Sequence, residues 1–236
     1  MATRQYQKAR ELFDSASTEL EGPVDYRHTY VNFKWADVDA AWTGGDPAMT
    51  CPSAYGYSFA AGSTEDGGGH PMFREGMTAP NQMIDNLVKE QFGVDPPSED
   101  CKACHAEKAI LFATGEMEPP GYTQILPMTL ARIGQLVLVC VPAEFTTMSG
   151  RRIRDTVQKV LGEENYYVLA GYSNDFCGYV TTREEYATQQ YEGGHTLYGP
   201  HTLAHYQQSF DRLARAMRAG EEADAGPTPV DLRDAV

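Results

Sequence analysis

Apolar and small residues recur at helical spacing through Tyr6, Ala9, Leu12, Phe13 and Ala16. That spacing predicts an opening helix over Gln5 to Leu20, stopped by Gly22-Pro23. Thr29-Tyr30-Val31-Asn32-Phe33 is β-branched and aromatic and predicts a strand. From Thr43 to about Pro97 the pattern gives way to Gly, Pro, Asp and Ser. The interspersed aromatics Tyr55, Tyr57, Phe59 and Phe73 argue for ordered loops there, because disordered segments lack such residues. Within this stretch Met83, Ile84, Leu87 and Val88 predict a short helix from Asn81 to Gln91.

The second half is more regular. Ile125 to Ile133 and Gln135 to Val141 read as a hairpin turned at Gly134, and Thr147 to Leu161 as a helix stopped by Gly162. Tyr166 to Ala170 predicts a third strand that enters the polar loop Gly171-Tyr172-Ser173-Asn174-Asp175. A helix then starts at Thr182, with Glu185 placed to complete a capping box. The last helix begins near Pro200, carries Leu203, Tyr206, Phe210, Leu213 and Met217, and ends at Gly220. No internal repeat is present.

Composition narrows this picture. At 236 residues with 42% apolar content, the chain can bury one sizeable core. No run reaches the roughly 20 apolar residues of a membrane-spanning helix; the most apolar, Leu136 to Pro142, is strand-length. The first residues, MATRQYQKARELF, lack the apolar core of a signal peptide. A net charge of −14 excludes the basic face a nucleic-acid binder needs. Five cysteines are too few for a disulfide-built scaffold. Cys101 and Cys104 form a C-x-x-C, but no second pair completes a zinc ribbon, and the pair lacks the strand-to-helix setting of a redox motif.

Three segments could carry chemistry. Val141-Pro142-Ala143-Glu144-Phe145-Thr146-Thr147-Met148-Ser149-Gly150-Arg151-Arg152 puts a carboxylate just past an apolar strand, where scaffolds tend to hold functional groups. Glu144 is a candidate ligand or base there, or else a cap for the next helix. In Tyr172 to Thr182, Gly178 allows close backbone approach and Tyr179 reads as a core residue or, more rarely, a phenolate ligand. The third, Tyr186 to Thr196, offers Tyr191, whose hydroxyl could reach a cleft. None of the six histidines forms the helical H-E-x-x-H zinc motif. His201 and His205, four apart, read as surface or packing residues.

Taken together, GYSFAAG (Gly56 to Gly62), PAEFTTMSGRRIRDTVQ (Pro142 to Gln158), NDFCGYVTTREEYATQQYEG (Asn174 to Gly193) and TLYGPHTLAHY (Thr196 to Tyr206) resemble the neutral, non-lysosomal ceramidase family. The resemblance implies a zinc-dependent amidohydrolase that cleaves the N-acyl amide bond of ceramide to sphingosine and a fatty acid. It implies an α+β fold with a mixed β-sheet and packed helices, part of a larger catalytic domain. Residues 1–220 would be the C-terminal portion of that domain, and 221–236 a flexible acidic tail. Glu144 and Tyr179 would be ligands of one zinc ion, and Tyr191 a catalytic residue at the amide oxygen. The family's two zinc histidines and essential serine have no match among these residues and would lie in an N-terminal segment, in the same or a separate chain. The isolated chain is therefore expected to bind zinc poorly and to lack activity, and a second reading is an inactive remnant serving as a lipid-binding or subunit-interaction module. The resemblance further pairs Cys51 with Cys104, leaving Cys140 and Cys177 as buried thiols. It also places the family among secreted or membrane-associated proteins.

Overall fold

The computed structural model describes residues 1–64 and 67–230. In chain order its main elements are helix α1 (Ala2–Ser15), strand β1 (Val24–Asn32), the short strand β2 (Tyr55–Gly56), helices α2 (Gln82–Phe92) and α3 (Glu99–His105), and strands β3 (Ile110–Phe112), β4 (Ile125–Ile133), β5 (Leu136–Cys140) and β6 (Glu144–Phe145). Helix α4 (Thr147–Leu161), strands β7 (Tyr166–Ala170) and β8 (Tyr179–Val180), and helices α5 (Arg183–Thr188), α6 (Tyr191–Gly194) and α7 (Thr202–Ala219) complete the chain. Among the described residues no helix is long and apolar enough to cross a membrane.

The central sheet has the order β1-β4-β5-β7. Strands β1, β4 and β5 run antiparallel in turn, and β7 joins β5 in parallel, so the sheet is mixed as expected of an α+β protein. Gly134 makes the β4–β5 turn at a φ of 57°, and a Cβ there would lie 2.5 Å from the Glu21 carbonyl oxygen. Only glycine fits such a position. The parallel β5–β7 pair needs a crossover, and α4 supplies it.

One face of the sheet forms the core. Leu126, Met128, Leu130, Val137 and Val139 are fully buried against Ile153 and Val157 of α4 and Phe210 and Leu213 of α7. The alternate residues face outward: Val24 is 80% exposed, Tyr26 67% and Tyr166 56%. Cys140 lies on this second face and is half-buried rather than buried, because β-strand side chains alternate sides. Helix α1 ends at Ser15, short of the expected Leu20, as the Ser-Thr-rich stretch after it favours helix weakly. No α1 residue is buried.

The irregular segment is held by Cys51 and Cys104, which are disulfide-bonded, and by the adjacent His105, whose Nε2 donates to the Pro52 carbonyl at 2.8 Å. Helix α3 carries both cysteines of the C-x-x-C, with Cys101 a buried free thiol. His205, expected at the surface or in packing, is buried edge-on against Phe33. After α7, the Ala225 carbonyl accepts from Tyr30 N at 2.9 Å and Ala223 packs on the core. The last six residues of the acidic tail segment, 231–236, lie outside the described residues.

Candidate functional site

Strand β5 leaves the sheet at Cys140, and the chain turns through Pro142 into β6. There the Glu144 amide donates to the Gly178 carbonyl at 2.9 Å, and β6 pairs in parallel with β8 so that Glu144 lies opposite Tyr179. Neighbours in a parallel ladder project to the same side. The negative charge of the carboxylate acts on the hydroxyls of Tyr172 and Tyr179 and favours the protonated phenol in each. Tyr172, influenced chiefly by Glu144, is pushed up to about 12. Burial first, then the neighbouring Glu144 carboxylate, raises Tyr179 well above the ordinary phenol range. Glu144 does not cap the next helix. Thr146 does, its hydroxyl accepting from Ser149 N at 3.3 Å.

Tyr191 opens α6 and meets the Tyr179 ring edge-on, centroids 5.6 Å apart. The three residues singled out for chemistry therefore converge. Two helix starts frame them. In the α5 capping box Glu185 accepts from Thr182 N at 2.8 Å, and it also accepts from the Thr146 hydroxyl at 2.7 Å, so one carboxylate ties the starts of α4 and α5. Beside Tyr179 opens a cleft of ≈ 450 Å³, lined by Thr146, Thr181, Thr188, Gln190 and Glu192 among others.

Behind the phenols lies a cluster that the sequence reading missed. His195 is only 7% exposed, its ring centroid 5.3 Å from that of Tyr179, 5.1 Å from Tyr55 and 4.7 Å from Phe59. Burial lowers its pKa to about 4. Lys108 is buried too, donating to the carbonyls of Ala54 at 3.1 Å and Thr196 at 2.6 Å, with its ammonium over the Tyr186 ring. Burial pulls its pKa down to about 7. Phe59 and His195 fall in or beside the GYSFAAG and YEGGHT stretches, but no periodicity marks them as neighbours.

Glu144 and Tyr179 offer two adjacent oxygen donors for a cation. A catalytic zinc takes about three protein ligands, and among the described residues no three His, Cys, Asp or Glu side chains converge on one point. Two oxygen donors of this kind are compatible with a zinc site and are fewer than such a site takes.

The family model for the N-terminal region of neutral/alkaline non-lysosomal ceramidases matches residues 1–208. The chain is 46% identical to a neutral ceramidase of Oryza sativa subsp. japonica, the match covering 99% of this chain and 31% of that protein. It is 44% identical to the neutral ceramidase of Pseudomonas aeruginosa, covering 97% and 34%. A solved structure described as a ceramidase complexed with C2 superposes with a TM-score of 0.83 at 41% identity, covering 98% of this chain and 36% of that one. The chain thus spans about a third of the length of the relatives it matches. A match of this extent, in both sequence and structure, places the chain in the neutral/alkaline non-lysosomal ceramidase family.

Proposed function

We propose that this chain contributes one part of a zinc-dependent site that hydrolyses the N-acyl amide bond of ceramide. The observation that carries the reading is the convergence of Glu144, Tyr179 and Tyr191 on adjacent strands and a helix start. In this reading Glu144 and Tyr179 hold two positions around one zinc ion, and the remaining ligands come from a segment outside these residues, in the same or a separate polypeptide. Zinc, when bound, supplies Lewis acidity at the amide carbonyl. Tyr191, whose ring meets Tyr179 edge-on, donates a hydrogen bond to the oxygen on which charge develops. The ladder between β6 and β8 fixes the two ligands in register, so neither needs ordering as the substrate arrives.

Two ligands hold zinc weakly. Isothermal titration of the purified chain with zinc is therefore expected to give weak binding, and a ceramide-hydrolysis assay no turnover. Robust, zinc-dependent turnover by the chain alone would show that the site is complete without further ligands.

A further inference from the structure

Both site phenols are tied to one residue that no role has yet claimed. The His195 amide donates to the Tyr191 carbonyl at 3.0 Å, and the His195 carbonyl accepts from Tyr179 N at 3.1 Å. The ring lies against Gly178. A Cβ built there would sit 2.6 Å from the His195 carbonyl oxygen, 2.8 Å from its Cδ2 and 3.1 Å from its Nε2, and Gly178 holds a φ of +77°. The same ring meets Tyr179 at 5.3 Å and Tyr191 at 5.9 Å, centroid to centroid, with Phe59 and Tyr55 closing the other sides. Behind it, Lys108 clamps the carbonyl of the next residue, Thr196.

This placement is poor design for stability alone. His195 Nδ1 is buried without a hydrogen-bond partner, and an unmet buried polar atom opposes folding. A phenylalanine would fill the space without that cost. The ring nonetheless packs against Gly178, Tyr179 and Tyr191 together.

We propose that His195 is a positioning residue of the ceramidase site: its ring, wedged between Gly178, Tyr179 and Tyr191, sets the geometry of the two phenols relative to each other. The proposal rests on the reading of Tyr179 and Tyr191 as site residues. Residues that orient metal ligands from behind typically change metal affinity roughly 10–100-fold when altered.

The test labels the purified chain with 3-fluorotyrosine and follows each tyrosine by ¹⁹F NMR. His195→Ser should move the resonances of Tyr179 and Tyr191 while leaving Tyr57 and Tyr167, which do not touch His195, in place. His195→Phe should restore both resonances toward wild type and melt at a higher temperature, since the unpartnered nitrogen is gone. If His195→Ser fails to fold, His195→Asn carries the same expectation. Unmoved Tyr179 and Tyr191 signals in the folded Ser or Asn variant overturn the proposal, as does a Phe variant that displaces them as far as Ser does. Zinc added to the wild-type chain separates this from the functional reading. If Tyr179 ignores millimolar zinc while the His195 variants still displace it, the ligand role fails and the positioning role stands. If Tyr179 responds to zinc and the variants respond equally well, the positioning role fails.

Discussion

At the residue scale the site is organised by one carboxylate. The Glu144 carboxylate acts on two phenols, and each phenol holds its proton more tightly for it. Removing a proton from Tyr172 sets a second negative charge near the Glu144 carboxylate. Glu144→Gln is therefore expected to bring the Tyr172 ionisation down from about 12 toward the ordinary phenol value of 10.0. A pH titration of phenolate absorbance, compared with a Tyr172→Phe control, measures it. An unchanged titration curve would mean that Glu144 does not face Tyr172. Little of this was legible in the residues themselves. Read locally, Glu144 fits a helix cap better than a ligand, and Tyr179 a core residue. The β6–β8 ladder that joins them is long-range and only two residues deep on each side, too short to leave an alternating pattern. The resemblance to a family, not spacing, singled them out. His195 stayed hidden because its neighbours Tyr55 and Phe59 lie far along the chain from it and from Tyr179.

At the scale of elements, local signals carried further. The α4 helix runs from Thr147 to Leu161 and β7 from Tyr166 to Ala170, both with their predicted bounds, because each has a strong start or stop: a threonine cap and Gly162 for α4. Helix α3 went unread because seven residues after Pro96-Pro97 show no period, and only the Ser98 cap, accepting from Cys101 N at 3.1 Å, marks its start. The capping box at Thr182 was legible, but not its second use. Glu185 also binds the Thr146 hydroxyl and so locks two helix starts on either side of the site. Thr182→Ala should cost about 1 kcal/mol, an ordinary cap. Glu185→Ala should cost more, because the Thr146 tie is lost as well, and urea denaturation of both variants gives the comparison. Equal losses would show that the tie between the helices contributes nothing.

At the scale of the whole molecule, the fold buries three histidines that it keeps neutral. Burial lowers His105 to about 3 and both His195 and His205 to about 4, from a usual 6.5. Folded pKa values below the unfolded ones mean that the unfolded chain takes up protons first as pH falls. Stability should therefore be full above about pH 6.5 and decline below it, by roughly 1.4 kcal/mol per pH unit for each such histidine until its folded pKa is reached. Urea denaturation at pH 7.5, 6 and 5 tests this, and a flat profile would contradict it. The most direct test of the account as a whole is ceramide hydrolysis by a chimera. In it this chain replaces the matching third of the Pseudomonas aeruginosa neutral ceramidase, so that the rest of that protein supplies whatever the chain lacks. Zinc-dependent release of fatty acid, abolished by Glu144→Gln or Tyr179→Phe and sharply slowed by Tyr191→Phe, is the predicted result. A chimera that hydrolyses ceramide equally well with Glu144 and Tyr179 both replaced would contradict the placement of the site.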